Sequence, residues 1–169
     1  DLEVMKQAVT RNPTEPVYDT EGRTPISGGY YYNDGPFKYY NPVAMQNEST
    51  NETLDREFSG SVHASLKIID PLKINALASL VETNTRNGYY QTQYYPIDFG
   101  TNGRATSTNS LSSSKQFEVN ADFNHSFGDH KIQAIAGYSY YDYWNERYYG
   151  MNYGYDTDIF SFYNMGAGS

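Results

Sequence analysis

Regular alternation of apolar and polar residues predicts four β-strands in this chain. In the segment FSGSVHASLKI at 58–68, the even positions are apolar or glycine and the odd positions are polar without a break. The same period of two, with few exceptions, runs through LKINALASLVE at 72–82, FEVNADFNHSF at 117–127 and KIQAIAGYSYYDY at 131–143. Successive side chains of a strand point to opposite faces, so this period indicates strands whose two faces meet different surroundings.

The first connection predicts a hairpin between the first two strands. If Ile68 opposes Leu72, the loop has the three residues IDP and even positions face even positions, so that the apolar faces of the two strands match. This register also places Lys67 opposite Lys73. Two like charges in opposed positions destabilise a sheet slightly, unless Asp70 or solvent relieves the repulsion.

The second connection predicts another hairpin. Gly128-Asp129 is a two-residue turn of the Gly-X kind, and it sets odd positions against even positions. The apolar face changes from odd positions in the third strand to even positions in the fourth, as this register requires. We therefore expect two hairpins, at 58–83 and 115–143.

The remaining connections are long and polar. They comprise 1–57, 84–114 and 144–169, which are rich in Asn, Ser, Thr, Gly and Tyr, and only 2–11 has a helical pattern, which ends at Asn12-Pro13. Tight turns that alternate with long loops are typical of an outer-membrane β-barrel, in which the long loops are extracellular. A soluble sandwich or small barrel has the same alternation of apolar and polar residues, so the pattern alone leaves both classes open.

Composition and charge exclude several function classes. The net charge is −8, which argues against nucleic-acid binding, and the absence of cysteine excludes disulfides and thiolate sites. Three histidines, His63, His125 and His130, have no nucleophile arranged beside them, and we interpret them as structural or solvated. Asp156 and Asp158 lack the remainder of a calcium-binding loop. We therefore expect no enzymatic activity, no metal site and no cofactor.

Four stretches of the chain, taken together, resemble one family of transporters. They are NPTEPVYDTEG at 12–22, YYNPVAM at 39–45, FGDHKIQAIAGYSY at 127–140 and YNMGAGS at 163–169. In content and order they are similar to the SusC-like TonB-dependent transporters, which import glycans or peptides through bacterial outer membranes. The tyrosines that close the fourth strand then suit the aromatic girdle of a barrel.

The resemblance implies an all-β fold, with about four antiparallel strands of a larger transmembrane barrel of 22 strands, long extracellular loops and one short helix. It also implies a location in the bacterial outer membrane, a SusD-like surface lipoprotein as lid, and energy from a TonB-type protein acting on a plug domain that this chain lacks. The cargo would be an oligosaccharide or a peptide. Four strands cannot close a barrel, so we expect the chain to be a fragment of a larger transporter.

Clustered tyrosines are the candidate contacts with cargo. A tyrosine offers a flat apolar ring to a sugar and a hydroxyl to its polar edge, although packing among loops or contact with a lid would also use such residues. The alternative function is a soluble or surface-attached β-rich carbohydrate-binding module, and a surface adhesin ranks behind it. Polar substitution at Val62, Ala64 or Ala121 disturbs membrane insertion in the first case and folding in water in the second. The candidate contacts are Tyr89, Tyr90, Tyr94, Tyr95, Tyr148, Tyr149, Tyr153 and Tyr155.

Overall fold

A four-stranded antiparallel sheet dominates the fold. Its strands follow each other in space in the same order as in the sequence, so each strand pairs with its neighbours along the chain. The prediction of an all-β, antiparallel arrangement with little helix is confirmed. The strands are β1 (Ser49–Ile69), β2 (Leu72–Gln91), β3 (Arg104–Phe127) and β4 (His130–Tyr153).

The computed structural model describes residues 2–22, 27–33, 35–36, 39–97 and 101–169. Within these ranges, no helix is long and apolar enough to span a bilayer. Two short α-helices precede the sheet, α1 (Leu2–Thr10) and α2 (Pro42–Asn47). The α1 helix ends one residue before the predicted 2–11, and two short 3-10 helices follow β4, at Asp158–Tyr163 and Met165–Ala167.

All four strands extend beyond the alternating segments. β1 begins at Ser49 instead of position 58, and β4 continues to Tyr153. Between β2 and β3 only residues 92–103 lie outside the strands, where the loop 84–114 was expected. The additional strand residues are mostly polar, charged or aromatic on both faces, so they carry no apolar alternation, although the Thr and Tyr among them favour strands.

The β1–β2 turn is one residue shorter than predicted. β1 ends at Ile69 and β2 begins at Leu72. Farther along the hairpin, Ser65 forms a hydrogen bond with Asn75, and the predicted register places these two residues opposite each other. Lys67 Nζ lies 2.6 Å from Asp70 Oδ1, so Asp70 supplies the charge that offsets the neighbouring Lys73.

The predicted turn at Gly128-Asp129 is confirmed. β3 ends at Phe127, β4 begins at His130, and Gly128 has φ +60° whereas Asp129 has a negative φ. A positive φ at the first central residue alone is the type II′ pattern, which matches the twist of the flanking strands. Glycine adopts that conformation without steric cost.

The chain forms two compact units, each of which is described by itself below. The tyrosine unit comprises residues 1–54, 86–108 and 148–169, and the hairpin unit comprises 55–85 and 109–147. All four strands contribute residues to both units.

In the tyrosine unit, two buried polar side chains fix the helices. Gln7 of α1 accepts a hydrogen bond of 2.9 Å from the Tyr40 backbone N–H. Asn41 accepts hydrogen bonds from the backbone N–H groups of Val43 and Ala44, and its amide donates to the Val17 carbonyl at 2.7 Å. Asn at the N-cap with Pro at the first helical position is a known helix start, so the Asn41-Pro42 pair carried a signal for α2 that the predictions did not use.

Candidate functional site

The tyrosine unit contains a small aromatic core. Tyr90 of β2, Ala105 of β3, Tyr155 and Phe162 are buried against one another, and Met165 packs on this cluster. The rings of Tyr90 and Tyr155 meet edge to face with their centroids 5.5 Å apart. Such edge-to-face pairs add about 0.5–1.5 kcal/mol to the effect of burial.

Asp158 connects this core to the segment after β2. Its Oδ1 accepts a hydrogen bond of 2.7 Å from the Tyr90 hydroxyl, and the backbone N–H and side-chain amide of Gln93 donate to its carboxylate at 3.4 Å each. Burial raises the pKa of the Tyr90 phenol, and the hydrogen bond to the Asp158 carboxylate raises that pKa further. Tyr90 therefore stays neutral and acts as a hydrogen-bond donor at physiological pH.

Gly103 allows the backbone to approach this hydrogen bond closely. Its φ is +83°, and a Cβ at this position would lie 2.8 Å from the Tyr90 hydroxyl oxygen and 3.5 Å from Asp158 Oδ1. Any other residue would push the pair apart or strain the backbone.

The segment at 154–169 folds back over one face of the strand ends. The backbones of Tyr155 and Gly168 form an antiparallel bridge, which closes the segment into a loop. Phe162 lies directly over Gly88 of β2. The Tyr163 hydroxyl donates to Glu52 Oε2 at 2.8 Å, and this hydrogen bond raises the pKa of the Tyr163 phenol.

The eight candidate tyrosines all belong to the tyrosine unit, but they differ in burial. The side chains of Tyr90 and Tyr155 are buried, and their rings contact each other. Tyr149 and Tyr153 share a face of β4 because they are four positions apart in a strand. Buried are Tyr90, Tyr95 and Tyr155; half-buried are Tyr89 and Tyr94; exposed are Tyr148, Tyr149 and Tyr153.

In the hairpin unit, polar side chains on one face of the sheet bind each other. The Asn75 amide donates to Asn120 Oδ1 at 2.8 Å and to Asp122 Oδ2 at 2.7 Å, and Ser65 contacts the oxygen of the same amide. These residues belong to β1, β2 and β3, so the hydrogen bonds run across three strands.

Apolar side chains on the other face of the hairpin unit remain exposed. Val62 is 71% exposed, Leu66 62% and Phe58 60%. Residues on the same face of β4 are exposed as well, with Ile132 at 48% and Tyr138 at 62%. A sheet with one polar, hydrogen-bonded face and one uncovered apolar face is suited to an apolar solvent on the second face.

The structure describes all three histidines and both of the aspartates considered above. His125 packs edge to face on Phe127 with the ring centroids 4.2 Å apart, and His63 and His130 are exposed. Asp156 is exposed, and Asp158 accepts the hydrogen bonds already described. Across the described ranges, no group of three or more His, Asp or Glu side chains is placed to hold a metal ion.

The sequence pattern did not single out the hydrogen-bonding roles of Asp158 and Asn75. Asp158 is 68 positions from Tyr90 along the chain, and no local spacing indicates such a contact. Asn75 lies on the polar side of a predicted strand, so its face could be predicted but its partners could not.

Comparison with known proteins gives an informative similarity. No protein-family model matches the chain. The TonB-dependent receptor P3 of Formosa agariphila is 28% identical over 134 residues, which is 76% of this chain and 13% of that receptor. The chain thus spans about an eighth of the length of this curated relative. The similarity is to a part of a TonB-dependent receptor.

Proposed function

We propose that this chain is part of the barrel wall of a SusC-like TonB-dependent transporter in the bacterial outer membrane. The observation that carries the proposal is the two-faced sheet of the hairpin unit, with exposed Phe58, Val62 and Leu66 on one side and hydrogen-bonded Asn75 and Asp122 on the other. Lipid would cover the apolar side, and the polar side would face the lumen. The similarity to a TonB-dependent receptor supports this class over a soluble binding module.

The open edges of the sheet support a larger barrel. β1 and β4 are the outer strands, with 21 and 24 residues, and each has one paired side within the described sheet. Unpaired backbone groups are not tolerated in lipid, so further strands must continue the sheet on both sides. At about 3.3 Å per residue, 24 residues span roughly 80 Å, several times an apolar band of about 25 Å. The strands would therefore project beyond the membrane.

Cargo contact is proposed for the tyrosines that keep exposed rings. Tyr149 and Tyr153 lie on one face of β4 and offer two ring surfaces to an oligosaccharide or a peptide. Tyr148 on the other face and the half-buried Tyr89 and Tyr94 are secondary candidates. A SusD-like lipoprotein would cover the extracellular side, and a TonB-type protein would supply energy through a plug outside this chain.

Membrane fractionation tests the transporter class. The protein that carries this sequence should appear in the outer-membrane fraction, with a mass several times the 19.2 kDa of the chain. A water-soluble protein of 19.2 kDa would overturn the proposal in favour of a soluble carbohydrate-binding module.

Cargo binding can be tested on the purified full-length transporter. Oligosaccharides and peptides from the growth medium would first be screened by calorimetry. Tyr149→Ala and Tyr153→Ala should each weaken binding of the selected cargo about tenfold, because a lost ring contact costs about 1.4 kcal/mol. Tyr140→Ala is the matched control, since Tyr140 lies in the same strand and is 51% exposed, the same as Tyr153. Equal binding by all three variants would contradict the assigned contacts.

A further inference from the structure

The apolar face of the hairpin unit bears a groove with a mixed lining, here called the sugar groove. It has a volume of about 380 Å³ and lies across all four strands. Trp144, which is 49% exposed, presents its ring there. An exposed aromatic ring beside carboxylate, amide and guanidinium groups is the usual setting for a sugar. The lining includes Arg56, Glu57, Phe58, Glu82, Leu111 and Trp144.

A second groove, here called the acyl groove, adjoins the first. It has about 410 Å³ and no charged residue in its lining, which consists of Phe58, Gly60, Ser61, Val62, Ala78, Ser79 and Leu80. Gly60 has no side chain, which opens a channel between Phe58 and Val62. A Cβ at Gly60 would lie 3.6 Å from the Phe58 ring, an ordinary contact, so a larger apolar side chain could occupy this space without strain in the strand.

Phe58 lines both grooves, so they form one continuous surface that carries charged side chains at one end only. We infer that this surface binds a membrane glycolipid, with its sugar against Trp144 and one acyl chain along Gly60. The inference rests on the proposed function, because only an outward face in a membrane meets such a lipid.

The charges of the sugar groove favour an uncharged sugar over a phosphate. Arg56 and Phe58 share a face of β1, and Glu57 between them points to the opposite face, so Arg56 and Glu82 set the charge of the groove and sum to zero. Among the residues that the structure describes, no carboxylate forms an ion pair with Arg56. Sugar hydroxyls can donate to the Glu82 carboxylate and accept from the guanidinium, whereas that carboxylate would repel a phosphate.

The two grooves together favour a lipid over a free sugar. A soluble saccharide would leave the acyl groove empty, with its apolar lining uncovered. A phospholipid would fill the acyl groove but would bring a phosphate next to Glu82. A glycolipid with a neutral headgroup complements both ends.

The test uses the full-length transporter in nanodiscs that contain equal amounts of glucosyl diacylglycerol and phosphatidylglycerol in phosphatidylethanolamine. Native mass spectrometry counts the lipids that the protein retains. The wild type should retain about ten times more glucosyl lipid than phosphatidylglycerol. Trp144→Ala and Gly60→Leu should each reduce that preference at least about fivefold, the first by removing the ring and the second by filling the acyl groove.

Tyr143→Ala is the matched control, because Tyr143 neighbours Trp144 in β4 and therefore points to the opposite face. It should leave lipid retention unchanged. Equal retention of both lipids by the wild type, or variants that match it, would overturn the glycolipid site while leaving the transporter proposal intact. Binding of free maltose as tightly as of the glycolipid would also overturn it. A wild-type protein that does not enter nanodiscs would overturn both proposals.

Discussion

The tyrosine unit and the hairpin unit bury their apolar side chains in different ways. Every buried hydrophobic residue described lies in the tyrosine unit, among them Met45, Tyr90 and Phe162. The hairpin unit, which the structure describes completely, has no buried hydrophobic residue, although it contains the most regular apolar alternation in the chain. The first unit has a core of its own, and the second directs its apolar residues outward.

Under the proposed function, the two units meet different solvents. Tyrosine, asparagine and threonine make hydrogen bonds while they pack, so the tyrosine unit can be stable in contact with water. The outward Val62 and Leu66 of the hairpin unit gain free energy only when something apolar covers them. Each prediction below tests one side of this comparison.

The largest effect is expected from a charge on the apolar face of the hairpin unit. Val62→Lys should destabilise the folded barrel by about 2–4 kcal/mol if Val62 lies near the bilayer centre. His63→Lys is the control, because His63 is adjacent and points to the polar face. Urea titration of the full-length protein in lipid measures the free energy of unfolding of both variants. The folded fraction is read from the heat-modifiable band on a gel. Equal costs for the two variants would show that lipid does not cover this face.

A smaller effect is expected from a methyl group in the core of the tyrosine unit. A Cβ at Gly88 would overlap the Phe162 ring, so Gly88→Ala should weaken packing of the segment at 154–169 by about 1–3 kcal/mol. Gly60→Ala is the matched substitution in the hairpin unit, where the new Cβ makes an ordinary contact of 3.6 Å. Hydrogen exchange of 154–169 should accelerate in the first variant only. Unchanged exchange in Gly88→Ala would mean that Phe162 does not rest on the strand.

Two buried tyrosines should respond differently to loss of the hydroxyl. Tyr90→Phe removes a donor to a carboxylate and should cost about 1.5–3 kcal/mol. The Tyr155 hydroxyl is buried and has no hydrogen-bond partner among the described residues, so Tyr155→Phe should be neutral or stabilise by up to about 1 kcal/mol. Local unfolding free energies from hydrogen exchange distinguish the two. Similar losses in both variants would contradict this arrangement.

The smallest effect is a pH dependence confined to alkaline conditions. Folding raises the pKa of Tyr90 above its ordinary value of 10.0, so the unfolded state loses its proton first as pH rises. Stability from this group is therefore complete below about pH 10 and declines above it. Hydrogen-exchange protection of 154–169, corrected for the intrinsic rate, should fall as the pH rises above 10.0 in the wild type and less in Tyr90→Phe. Identical pH profiles would rule out Tyr90 as the cause.

The sequence allowed accurate prediction where the two faces of a strand differ in polarity. The apolar alternation at 58–68 and the Gly128-Asp129 turn indicated the β1–β2 and β3–β4 hairpins, and both are present. The strand ends at 84–91 and 144–153 were missed because their residues are polar or aromatic on both faces. Periodicity cannot detect a strand whose two faces are alike.

The aromatic core could be predicted only in part. The tyrosine clusters indicated that residues 89–95 and 148–155 matter, but burial of Tyr90 and Tyr155 depends on a segment that returns from the end of the chain. The contact between Tyr163 and Glu52 spans 111 positions, and nothing local to either residue indicates the other. The propensities and turn signals used here describe neighbours along the chain, whereas these contacts are set by the fold as a whole.

The backbone bridge between Tyr155 and Gly168 makes the intervening segment a suitable place to insert a label. Because its two ends are already held together, added residues lengthen a closed loop, and the entropy cost of such a loop rises only logarithmically with its length. Ile159 is 86% exposed, and the anchoring contacts at Asp158 and Phe162 lie on either side of the bond between Ile159 and Phe160. An epitope or fluorophore tag inserted at this bond would be displayed without interrupting any strand of the sheet.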